Sequence, residues 1–169
     1  MRKVIYILIV SMLTITGIQA QSEDCACCTE DHKAFDFWLG EWEVFLSDGS
    51  KAGTNSIKKD LDNCLVRENW SSEGNNFRGS SINFYNKQQK RWEQIWMDNG
   101  GSHLHLKGQR DANQMILTSD EIPREDKPPY VNRITWTLNE DGSVRQLWEI
   151  LVDGDVASVA FDGIYRKKS

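Results

Sequence analysis

The sequence predicts an all-β fold, a single antiparallel up-and-down β-barrel of about ten strands with a short N-terminal helix. Three observations carry this reading. From Trp42 onward, runs rich in β-branched and aromatic residues alternate with turn signals such as Ser47-Asp48-Gly49, Asn99-Gly100-Gly101, Asp141-Gly142 and Asp153-Gly154. No run is long enough for a crossover helix, so neighbouring strands must be antiparallel. About ten strands approach the size at which an open sheet curls, and closure removes the edges it would expose.

In chain order, residues 1–20 have the pattern of a signal peptide. Arg2 and Lys3 form a charged start, Val4–Val10 and Met12–Ile18 an apolar stretch, and Ala20 a small residue for cleavage. The stretch is too short and interrupted for a membrane span. The expectation is an exported protein, periplasmic or extracellular, with a Cys-rich flexible segment at 21–30 and a barrel domain at 31–169. The full chain carries a net charge of −5, and losing Arg2 and Lys3 makes the balance more acidic. No basic stripe interleaves with aromatics, which argues against nucleic acid as a partner.

Cys25, Cys27 and Cys28 cluster ahead of a solitary Cys64. An exported chain permits disulfides, so the cluster is expected to bridge to Cys64, with Cys28 favoured because it lies nearest the helix. A soft-metal site is the alternative, but no second C-x-x-C or nearby His pair completes a zinc cage. No metal or other cofactor is expected.

Asp31–Leu39 reads as the helix. Asp31 caps its first turn, Phe35, Trp38 and Leu39 share a face, and Gly40 suits the C-terminal turn. This helix is expected to plug one end of the barrel. The hairpin from Asn132 to Ile150 can be placed in register. A three-residue loop at Glu140-Asp141-Gly142 pairs Trp136 with Gln146 and Ile134 with Trp148, and sets Arg133 against Glu149 on the opposite face. All three prolines fall in Asp120–Asn132. That stretch cannot join a central ladder and is expected to be a long exposed connection.

Alternation places Trp92, Gln94, Trp96 and Asp98 on one face, groups Val66, Glu68 and Trp70, and pairs Asn83 with Tyr85. Amides and a carboxylate among large rings suit a lined cavity better than a solid core, although tryptophans packed across an ordinary core are the competing reading. The candidate ligand-binding residues are Glu68, Trp70, Tyr85, Gln94, Trp96, Trp136, Gln146 and Trp148. The ligand they imply is a small apolar or aromatic molecule. The alternative is a barrel enzyme of isomerase or hydrolase type, with Glu68, Asp98 or Asp162 as interior acid or base. No catalytic residue can be assigned, because no nucleophile–base pair is legible. His103 and His105 share a strand face with Lys107, opposite Leu104 and Leu106, and are expected to point outward.

Several of these stretches together resemble a family of exported bacterial proteins of undefined function with a calycin-like, lipocalin-like barrel. They are FDFWLGEWEV at 35–44, GTNSI at 53–57, the Cys64…Glu68-Asn69-Trp70 segment, INFYNKQQKRWEQIWMDNGG at 82–101, RITW at 133–136, VRQLWE at 144–149 and FDGIYRKK at 161–168. The resemblance covers nearly all of the chain after residue 20 and implies export and a ligand-sized barrel. Gly40-x-Trp42 is similar to the lipocalin first-strand signature, in which the tryptophan packs under a basic residue of the last strand. In this chain that residue would be Arg166, with Trp42 and Arg166 closing the barrel.

Overall fold

A computed structural model describes residues 25–168. The expected signal peptide at 1–20 lies outside the described residues, as do 21–24 and 169. A short helix α1 (Glu30–Lys33) and a 3₁₀ turn (Asp36–Trp38) precede eleven strands. These are β1 (Gly40–Leu46), β2 (Lys51–Asp60), β3 (Leu65–Ser72), β4 (Arg78–Asn86), β5 (Arg91–Asp98) and β6 (His103–Asp111), then β7 (Gln114–Ser119), β8 (Ile122–Arg124), β9 (Lys127–Leu138), β10 (Val144–Val152) and β11 (Asp155–Lys167). Ten of them close an antiparallel barrel, with β9 joining β7 to β10 and β11 returning to β1. The strand β8 pairs with the outer part of β9.

The expected helix divides in two. Thr29, not Asp31, caps α1 by accepting a bond from the His32 N–H. The chain then breaks at Phe35 and resumes as the tighter turn. That break brings Phe35 and Trp38 into a stack, 4.9 Å between ring centres, buried inside one end of the barrel. Phe35 also meets Trp92 and Trp136 edge-on at 5.6 and 5.2 Å. Burying a ring of this size removes roughly 150–250 Å² from water, about 4–6 kcal/mol of gross stabilisation. Strand side chains then tie the segment down through its carbonyls. The Trp92 and Trp42 indoles donate to Asp31 and Trp38, and Lys59 and Arg110 donate to His32 and Ala34. The segment plugs this end of the barrel.

The β9–β10 hairpin has the expected register. Trp136 faces Gln146, Ile134 faces Trp148, and Arg133 lies opposite Glu149 with an ion pair of 2.9 Å. Gly142 supplies the left-handed residue of the turn, at φ +79. The proline-rich stretch is a correction. It folds as a two-stranded ribbon in which Ile122 faces Tyr130, lying outside the barrel ladder, so the prolines remove no barrel hydrogen bond. Asp126 turns the ribbon at φ +55, and the Arg124 guanidinium covers the Tyr130 ring at 5.2 Å.

Two closure expectations are also corrected. The bridge to Cys64 comes from Cys27, while Cys28 pairs with Cys25. A turn in which the Cys28 N–H donates to the Cys25 carbonyl brings those two thiols together. The buried Cys27 is left to meet Cys64, which follows three consecutive left-handed residues, Leu61, Asp62 and Asn63. The described part of the segment expected to be flexible, residues 25–30, is thus held by two disulfides. At the strand seam, Lys167 and not Arg166 covers Trp42, its ammonium 4.4 Å from the ring centre. The reason is parity. Tyr165 takes an inward position, so its neighbour Arg166 must face outward, where it lies over Phe45 at 5.5 Å.

Candidate functional site

A cavity of about 740 Å³ opens at the end opposite the plug. Its walls are aromatic. Trp70, Trp96, Trp136, Trp148 and Phe161 line it from five strands, with Leu46, Leu104 and Ile134 between them. Glycines set two of these rings. A Cβ added at Gly53 would lie 2.9 Å from the Trp70 ring, and one at Gly79 would collide with Trp96. Each indole therefore occupies space over a glycine of a neighbouring strand that a Cβ would fill. Polar tips are anchored at the wall, where the Trp148 N–H donates to Asn132 at 2.8 Å and the Trp70 N–H to Ser72 at 3.3 Å.

Beneath the rings runs a polar floor. Tyr165 donates its hydroxyl proton to Gln146 and accepts from the Asn55 amide at 3.3 Å. The same amide donates to Glu68 Oε1 at 2.7 Å, and Ser81 donates to Glu68 Oε2 at 2.6 Å. Asn83 donates to Ser81 at 2.9 Å, and Gln94 donates to the Asn83 carbonyl oxygen at 2.8 Å. The chain Gln146–Tyr165–Asn55–Glu68–Ser81–Asn83–Gln94 thus crosses six strands. Such networks rigidify a core when their members are satisfied. Among the described residues, this one leaves Asn55 Oδ1 buried without a partner and the Gln146 amide N–H groups and Gln94 carbonyl oxygen unpaired beside the cavity.

Glu68 is the chemically distinctive member. It is 5% exposed. Burial pushes its carboxyl up to about 7, against which the Ser81 and Asn55 bonds pull only partly. Burial also holds the Tyr165 phenol well above its ordinary range, reinforced by the charge of Glu68.

Of the eight residues expected at the site, Glu68, Trp70, Gln94, Trp96, Trp136, Gln146 and Trp148 line the cavity. Tyr85 does not. It shares an interior face with Asn83 but sits one step nearer the plug, its ring against His32 at 5.2 Å and Trp92 at 6.5 Å. Alternation specifies a face and leaves depth along the barrel open. The three candidate carboxylates do not converge. Asp98 accepts the backbone N–H groups of Gly100 and Ser102 at the lip, and Asp162 pairs with Arg145 at 2.7 Å. His103 and His105 are exposed, and His105 bonds to Glu93 at 2.9 Å. Among the described residues no cluster of three or more His, Cys, Asp or Glu is placed to hold a metal ion.

The chain matches no protein-family model, and no curated protein matches it significantly. The site therefore has to be read from its own residues. Sequence reasoning missed Asn55, Ser81 and Tyr165. Each occupies an inward position in its strand, so alternation around Gly53-Thr54-Asn55 and Gly163-Ile164-Tyr165 was the available signal.

Proposed function

We propose that this protein binds a small molecule with an apolar or aromatic body, held between the tryptophan walls and oriented by the polar floor. One observation supports this above the others. Gln94, almost wholly buried, and the half-buried Gln146 each keep half of their side-chain hydrogen-bonding capacity uncommitted where they line the cavity. Neither free group is shut off from the cavity, so a ligand's polar end pairs with both in place of water. Export, as the calycin-like resemblance and the signal pattern imply, fits the two disulfides. Among the described residues no helix is long and apolar enough to cross a membrane.

The barrel-enzyme reading rests on Glu68, whose value near 7 suits proton transfer at neutral pH. It is the weaker reading, because Asp98 and Asp162 are engaged elsewhere and leave Glu68 without a second interior carboxylate. The binding reading is tested with the neutral fluorescent probe N-phenyl-1-naphthylamine. Saturable enhancement of its emission is expected, weakened by Trp96→Ala and by Gln146→Leu while far-ultraviolet circular dichroism stays unchanged. No enhancement, or equal enhancement in both variants, overturns it.

A further inference from the structure

The cavity's charge distribution narrows the ligand class, and the narrowing rests on the binding reading above. We infer that the ligand is an organic cation, an ammonium group on an apolar or aromatic body, with its charge held among the tryptophan faces and above Glu68.

Aromatic faces carry the negative lobe of the ring quadrupole and attract cations. Trp70, Trp96, Trp136 and Trp148 surround one space. The charged residues lining that space are Asp48, Lys51, Glu68, Glu73, Asp98 and Asp162, and with Asp162 paired to Arg145 and Glu73 to Lys51 the carboxylates without a cationic partner are Asp48, Glu68 and Asp98. The Lys51 ammonium is already committed, lying 2.9 Å from Glu43 and 3.5 Å from Glu73. Arg145 engages only Asp162, on the outer side of the wall. An incoming anion meets no free cationic group in the cavity lining, and an incoming cation meets a negative lip that focuses it inward.

The floor agrees with the lip. The groups facing Glu68 come from every neighbouring strand. Asn55 on β2 and Ser81 on β4 bond to it directly, and Asn83 on β4, Gln94 on β5, Tyr165 on β11 and Gln146 on β10 extend the network behind them. Among the described residues, the only other titratable group in this network is Tyr165, whose phenol burial keeps neutral. Glu68 is thus a buried carboxylate with neutral donors and no counter-charge. Each of its oxygens takes one donor, at 2.7 and 2.6 Å, and keeps a second lone-pair direction. The free Gln94 carbonyl oxygen gives an ammonium N–H a further acceptor.

A cation that prefers ionised Glu68 must bind more tightly as pH rises. With the carboxyl near 7, its ionised fraction grows roughly tenfold between about pH 6 and pH 8.

Isothermal titration calorimetry with three ligands of one body separates the cases: 2-naphthylmethylamine, 2-naphthylmethanol and 2-naphthoate. The amine is expected to bind roughly tenfold more tightly than the alcohol, with naphthoate the weakest. The amine's affinity should rise about tenfold from pH 6 to pH 8 and release protons on binding. Glu68→Gln should flatten that profile. The wild-type charge ladder and pH profile need no variant, so a misfolded Glu68→Gln cannot hide the answer. Equal binding of alcohol and amine, tightest binding of naphthoate, or a pH-independent amine overturns the cation. Failure of all three ligands while N-phenyl-1-naphthylamine still binds overturns the cation alone. If that probe fails too, the binding reading falls with it.

Discussion

The two ends of the barrel use the same residue type to opposite effect. At the plugged end Trp38, Trp42 and Trp92 are almost completely buried, and Phe35 packs against Trp38, Trp92 and Trp136, the last lying between the plug and the cavity it also lines. At the open end Trp70, Trp96 and Trp148 keep part of their surface free around the cavity. The difference does not come from the strands, which alternate in the same way at both ends. It comes from the insert. Residues 25–39 fill one mouth and spend its hydrogen bonds on their own carbonyls, and among the described residues no equivalent segment enters the other. Tryptophan in a barrel is therefore mortar or wall according to whether something packs across it.

The largest test of that contrast is a pair of truncations. Trp38→Ala at the plug should cost about 3–5 kcal/mol in urea denaturation, whereas Trp96→Ala, with free surface beside it, should cost clearly less and act on binding. Equal costs would break the comparison. Next comes the tether. Cys64→Ser opens the 37-residue loop to Cys27 and should lower stability by about 3–4 kcal/mol, while Cys25→Ser opens a three-residue separation and should lose about 2 kcal/mol or less. Free Cys64, or a Cys28–Cys64 linked peptide, in non-reducing mapping would reject the pairing.

The open end carries a pH dependence that its polar floor dictates. Glu68 is neutral in both states well below its unfolded value of about 4.5, and it ionises in the unfolded chain first. Between about 4.5 and 7 the folded state holds the extra proton, so the contribution of Glu68 declines as pH rises through its folded value. The decline amounts to about 3 kcal/mol in order of magnitude. Glu68→Gln should remove it and make the protein more stable than wild type at pH 8. A difference that is the same at pH 4 and pH 8 would place Glu68 outside the buried network. The smallest effect is at the seam. Lys167→Ala, which uncovers Trp42, should cost about 0.5–1 kcal/mol in thermal unfolding. Arg166→Ala, over the partly exposed Phe45, should cost less, and the reverse order would restore Arg166 to that role.

Strand number, closure and the Trp136–Gln146 register were legible because alternation and turn chemistry act within a few residues of one another. The sequence by itself also determined that rings and amides share interior faces, since period two settles the face once one residue is placed. Depth along the barrel was not legible, which is why Tyr85 was expected in the cavity and lies beside the plug. Parity at the last strand was not legible either, because nothing local to Tyr165-Arg166-Lys167 says which of them faces Trp42 until β11 pairs with β1. Cysteine pairing depended on a turn at Cys25–Cys28 and on where the β2–β3 turn delivered Cys64. The network through Asn55, Glu68, Ser81 and Tyr165 joins residues up to 110 positions apart, and only ring closure brings them within bonding distance. What short-range chemistry repeats along the chain can be read from the chain; what depends on which distant strands meet, and at what height, is decided when the barrel closes.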